Sequence, residues 1–138
     1  MNRKDFQDLA RLRLKEAQAL LKSQHYDGAY YLGGYIIECA LKACIAKQTQ
    51  RGDFPDKKKA NECYTHDLEK LIGVAGLRVA LDIEKKTDPA FAAYWTVVKD
   101  WSEESRYLKT GAAPLAQNFL NAVADARHGV LRWIKLHW

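Results

Sequence analysis

The chain has 138 residues, 48% of them hydrophobic and 28% charged, the size and make-up of one globular domain with room for a core. No run of about 18 apolar residues is free of charge, and the opening MNRKDFQDLARL lacks an apolar signal core, so neither a membrane span nor secretion is expected. Three cysteines, Cys39, Cys44 and Cys63, suit a reducing cytoplasm better than a disulfide frame. A net charge of +5 and a pI near 9.1 leave polyanions open as partners. That signal is mild: the densest cluster, Asp56-Lys57-Lys58-Lys59, reads as solvated loop, and no aromatic interleaving marks an RNA platform.

The first helix is predicted over 4–23. Phe6, Leu9, Leu12 or Arg13, Ala17, Leu20 and Leu21 recur at helical spacing, while Arg3, Asp8, Arg11, Lys15 and Lys22 take the opposite face. Gln24 to Asp27 make a short break, with Asp27 available to cap the next helix. So short a link implies an antiparallel hairpin.

The second helix runs to about Thr49 and contains YYLGGYIIECALKACIA, Tyr30 to Ala46. It is apolar most of the way round and so belongs in the middle of a bundle. Gly33 and Gly34 cost roughly 1 kcal/mol each relative to alanine in a helix, a cost most readily tolerated where a neighbouring backbone comes close. Glu38 and Lys42 stand one turn apart on the stripe that also holds Tyr31 and Tyr35. Charge in such surroundings needs a partner.

Residues 50–64 read as a loop, on Arg51-Gly52-Asp53, Pro55, the lysines and Asn61. Thr65 is placed to cap a short helix from His66, with Leu68, Leu71, Ile72 and Ala75 inward and Gly76 closing it. A second short helix is predicted over 79–86. Asp88-Pro89 is a cap followed by proline at the first helical position; Phe91, Tyr94, Val98 and Trp101 then share a face. That helix is expected to bend near Trp101-Ser102 and to end at Thr110-Gly111. Pro114 opens the last helix, whose stripe of Leu115, Phe119, Ala122 or Val123, Ala126, Val130 and Ile134 spans about six turns. No alternating strand pattern occurs. The fold class is therefore all-α, an up-and-down four-helix bundle with extra short helices between the second and fourth, in one domain over 1–138.

Tyr35, Glu38, Cys39, Leu41, Lys42 and Ala43 form Tyr-x-x-Glu-Cys-x-Leu-Lys-Ala, which resembles the second helix of HEPN domains. Thr-His-Asp-Leu (Thr65 to Leu68), Trp-Ser-x-Glu-Ser-Arg-Tyr (Trp101 to Tyr107) and a final helix with Phe119, Leu120, Val123 and Trp133 follow in the family's order. The resemblance covers 27–138. It implies a HEPN-like bundle that pairs as a homodimer, and a place beside a nucleotidyltransferase partner in a toxin–antitoxin or defence-type system. It also implies that Glu38, Lys42, His66, Arg106 and Tyr107 could line one polar pocket for a nucleotide or RNA.

Each of these residues has a plainer reading. Glu38 and Lys42 could be an ion pair at the bundle rim, worth about 0.3–0.5 kcal/mol if exposed, or a carboxylate and ammonium tuned in a cleft. His66 could simply sit at a helix start, and Arg106 could be a surface residue. Ribonuclease members of the family carry Arg-x(4–6)-His at the start of the last long helix, and here the pattern departs. No histidine follows Arg106 within seven residues, and Arg127-His128 are adjacent. The one literal spacing, Arg132 to His137, places the pair about 140° apart on a helix. Cys63-x-x-His66 has ligand spacing for zinc but no second pair of ligands, so neither metal nor cofactor is expected. Three functions stay open: a nucleotide- or RNA-binding protein, a silent helical interaction module, and a divergent ribonuclease using His66 and Arg106.

Overall fold

The computed structural model describes residues 1–49, 54 and 56–138; Arg51-Gly52-Asp53 and Pro55, which carry the loop reading, lie outside them. Eight α-helices and one 3₁₀ helix occur among the described residues, with no strand, as the periodicities require. Four helices are long: α1 (Arg3–Lys22), α2 (Tyr26–Gln48), α6 (Pro89–Lys99) and α7 (Ala113–Ala124). The short ones are α3 (Lys57–Glu62), α4 (Leu68–Val74), α5 (Arg78–Thr87) and α8 (Val130–Lys135), with the 3₁₀ helix (Glu103–Tyr107) before α7.

α1 begins in a capping box, Asn2 and Asp5 each accepting from the other's backbone N–H. It ends where Gln24 turns to φ +64°, letting the His25 N–H reach the Leu20 carbonyl at 2.8 Å. The inward face differs from the prediction. Leu12 is exposed, Arg13 is half-buried in its place, and the deepest positions are Ala10 and Ala17. Small residues there let α1 lie close on α2.

α2 is the central helix, packed against α1, α4, α7, α8 and the 3₁₀ helix. Its two glycines admit aromatic rings, not a neighbouring backbone. A Cβ on Gly34 would overlap the Trp101 ring, and one on Gly33 would lie 2.9 Å from the Phe119 ring. Asp27 does not cap the helix. It sits in the first turn, where its carboxylate accepts from the Thr110 hydroxyl at 2.8 Å and the Gly111 N–H at 2.9 Å, tying the start of α2 to the loop before α7.

Three further boundaries are corrected. Lys57 to Lys59 belong to α3, because the Asp56 carboxylate accepts from the Lys58 and Lys59 N–H groups and starts a helix. Asp67, not Thr65, caps α4, so His66 precedes that helix; Gly76 does close it, at φ +70°. The final helix is broken: the Asp125 carboxylate accepts from the N–H groups of Arg127 and His128, a local turn that competes with the helical ladder. α7 therefore stops at Ala124 and α8 starts at Val130, with Ala126 exposed in the turn between them; Leu115, in the first turn of α7, is exposed as well.

Asp88 caps α6 as expected, accepting from the Ala90 and Phe91 N–H groups. Its other oxygen meets His128 Nδ1 at 2.7 Å, so one carboxylate joins the α7–α8 turn to the start of α6. α6 stops at Lys99; Trp101 then plugs the space over Gly34, and the Ser102 hydroxyl caps the 3₁₀ helix. Phe91, Trp95, Val98, Phe119 and Trp133 complete the core.

Candidate functional site

Glu38 is the buried charge in α2, its side chain 6% exposed. Its two oxygens are occupied separately. Oε1 accepts from Lys42 Nζ at 2.7 Å, one turn along the same helix; Oε2 is 2.8 Å from His66 Nδ1, which arrives on the segment before α4. An ionised carboxylate accepts and cannot donate, so Nδ1 carries the hydrogen and Nε2 is the ring nitrogen left for a ligand. Both partners reach solvent, with side chains 18% exposed for Lys42 and 44% for His66. Asp67 fixes the approach of His66 by capping α4 while its own N–H donates to the Thr65 hydroxyl.

Beyond His66 the α2 stripe is aromatic. The Tyr35 ring stands edge-on to His66 (5.8 Å between centroids), to Trp101 (5.1 Å) and to Tyr31 (5.3 Å). The two tyrosine hydroxyls are 3.2 Å apart. Burial pushes the Tyr35 phenol well above its ordinary range, and the hydrogen bond to Tyr31 adds to the effect. The phenol stays protonated and serves as a hydrogen-bonding group.

Arg106 and Tyr107 stand at the far end of this stripe, in the 3₁₀ helix that packs on α2. The Arg106 guanidinium lies 5.0 Å over the Tyr107 ring and 3.7 Å from a Glu104 oxygen, and its charge is felt at Tyr35. Its ion pair is with Glu104 and not with Glu38. Tyr107 is 69% exposed. Glu38, Lys42 and His66 are thus one bonded cluster, while Arg106 and Tyr107 form a second group across the two tyrosines.

His66 also lines a depression of about 420 Å³ with Asp67, Lys70, Lys99, Trp101 and Glu103. Sequence reasoning passed over Lys99 and Trp101 as site walls; their signal was their place at the start of the Trp-Ser-x-Glu-Ser-Arg-Tyr segment, with Trp101 its first residue and Lys99 just ahead of it. Arg132 and His137 form no site: Arg132 is exposed, and His137 stacks edge-on to Trp133 at 5.1 Å. Cys63 Sγ donates to the Lys59 carbonyl at 3.0 Å, and no metal-holding group of His, Cys, Asp or Glu occurs among the described residues. None of the described helices is long and apolar enough to cross a membrane.

A helical bundle built round one apolar helix that carries a doubly bonded glutamate defines a small all-α domain. The family model described as HEPN domain matches residues 4–135 of the 138, and the chain belongs to that family. Neither the curated proteins nor the solved structures hold a match to it.

Proposed function

We propose that the chain is a nucleotide- or RNA-binding HEPN protein, one half of a toxin–antitoxin or defence-type pair with a nucleotidyltransferase, and that it acts as a homodimer. In this reading the ligand lies along the α2 stripe. Lys42 and His66 take a phosphate at one end, Arg106 takes another at the far end, and the exposed Tyr107 ring offers a face to a base. The observation that carries the reading is the Glu38 carboxylate shared by Lys42 and His66. It costs desolvation in the central helix of the bundle, and it holds two nitrogen groups side by side at the surface. Isothermal titration with ATP, GTP and a short single-stranded RNA is the test. Arg106→Ala should weaken binding while leaving the melting temperature nearly unchanged, and His66→Ala should weaken binding and also lower the melting temperature through the lost Glu38 bond; absence of binding by wild type to all three ligands would end the reading.

A second reading, a silent helical interaction module, has its own support: Arg106 pairs with Glu104 in solvent and does not close on Glu38. There the Glu38 cluster serves to fix α2 against the segment before α4. A divergent ribonuclease using His66 and Arg106 draws less support, since the two belong to separate groups.

A further inference from the structure

The three most exposed large apolar side chains among the described residues are Phe54 at 96%, Tyr64 at 87% and Met1 at 74%. All three stand at one place. Two contiguous depressions, of about 380 and 250 Å³, run along the carboxyl-terminal half of α2 and share Ile45, Thr49, Ala60 and Cys63. Phe6 and Ala46 extend this apolar floor; Met1 and Tyr64 border the larger depression and Phe54 the smaller. Exposed apolar groups gathered round a groove are the mark of an interaction surface, unlike single ones scattered over a protein.

Lysines also edge the groove, Lys42 bonded to Glu38 at 2.7 Å and Lys59 beside Asp56. Lys42 lines the larger depression and Lys59 the smaller, with Lys57 and Lys58 beside them on α3. Lys59 Nζ donates to the neutral Gln48 at 2.9 Å, while the nearby Asp56 carboxylate caps the α3 backbone. A second copy brought face to face here would set these lysines against their own counterparts. A small molecule would leave Met1, Phe54 and Tyr64 wet. The geometry points to a protein partner: the groove between α1, α2 and α3 takes an acidic amphipathic helix, its apolar side chains on the Phe6–Ile45–Cys63 floor and its carboxylates against Lys42 and Lys59. Lys42 is shared with the Glu38 cluster, so an occupant of the groove comes within reach of the His66 site.

A display library of random peptides, selected on the wild-type protein, tests this directly, with enriched peptides titrated by fluorescence polarisation. The expected winners combine spaced Leu, Phe or Trp with Asp and Glu. Ala46→Arg, which fills the groove, should weaken them at least ~10-fold, and Lys59→Glu should weaken them with circular dichroism unchanged. If Ala46→Arg fails to fold, the exposed Thr49→Arg at the groove mouth serves in its place. His66→Ala should leave peptide binding intact, which separates this proposal from the nucleotide reading. Three results would overturn it: no enrichment over a protein-free control, winners that bind the arginine variants equally well, or a wild-type dimer that those variants dissolve, which would assign the groove to a second copy.

Discussion

Replacing Glu38 by Gln keeps the shape of the side chain and removes its charge. One amide oxygen remains to accept, but the NH₂ group cannot accept from either Lys42 or His66. Two bonds of 2.7 and 2.8 Å to ionised oxygens thereby become at most one to a neutral acceptor. Charge-assisted hydrogen bonds contribute about 1.5–3 kcal/mol each. Set against this, the wild type also loses hydration of a buried carboxylate, and that cost disappears in the variant. The partners are not stranded either, because Lys42 and His66 both turn to solvent. The net loss should be about 2 kcal/mol, below the ~3–5 kcal/mol that follows when a fully buried charge loses its partner. In a domain of this size ~1 kcal/mol moves the melting temperature by about 3–5 °C, so the variant should melt about 6–10 °C lower. Calorimetry with urea titration measures it, and a double-mutant cycle with Lys42→Met should show positive coupling. A Glu38→Gln protein within ~0.5 kcal/mol of wild type, or more stable, would refute the view that this carboxylate holds the site together.

Gly34→Ala should destabilise by about 2 kcal/mol in chemical denaturation, because overpacking against the Trp101 ring outweighs the ~1 kcal/mol gained in helix propensity. Burial pushes the Cys39 and Cys44 thiols up to about 11, so at pH 8 both should react slowly with a thiol reagent, with Cys63 labelled first in a time course read by mass spectrometry. The hydrogen bond from His128 holds the Asp88 carboxyl below its ordinary value of 3.8. A lowered folded-state pKa contributes stability that is full above the unfolded value and lost as pH falls through the folded one. Melting temperature should therefore drop below about pH 4, with a smaller drop in Asp88→Asn.

Much of this fold could be read from local pattern, and the errors have physical causes. The apolar run of Tyr30 to Ala46 marked α2 as the central helix because no other packing can bury both its sides. The Asp88-Pro89 cap was legible for the same local reason. The stripe through Val123, Ala126, Val130 and Ile134 keeps helical phase across Asp125, so periodicity alone ran straight through the break. The sign that it stops there was chemical: an Asp able to bond its own following N–H groups. α3 was hidden by its lysines, whose charge reads as loop until Asp56 is taken as a cap. Tertiary partners were less visible still. Spacing placed Glu38 beside Lys42, but nothing local says that His66, 28 residues on, would take the second oxygen. Only the resemblance put them in one group, and it put Arg106 there too. The structure joins Arg106 instead to Glu104 and Tyr107.

The central claim is that Glu38 fixes the His66 ring so that Nε2 meets a phosphate-bearing ligand. Nitrogen-labelled histidine NMR tests it most directly, with His66 assigned by the His66→Ala variant and ADP or a short RNA added stepwise. The account predicts that free His66 carries its hydrogen on Nδ1, and that ligand moves the Nε2 resonance to that of a protonated, donating nitrogen while Nδ1 stays bonded to Glu38. A free His66 ring with its only hydrogen on Nε2, or one whose nitrogens do not move as ligand is raised to saturation, would contradict it.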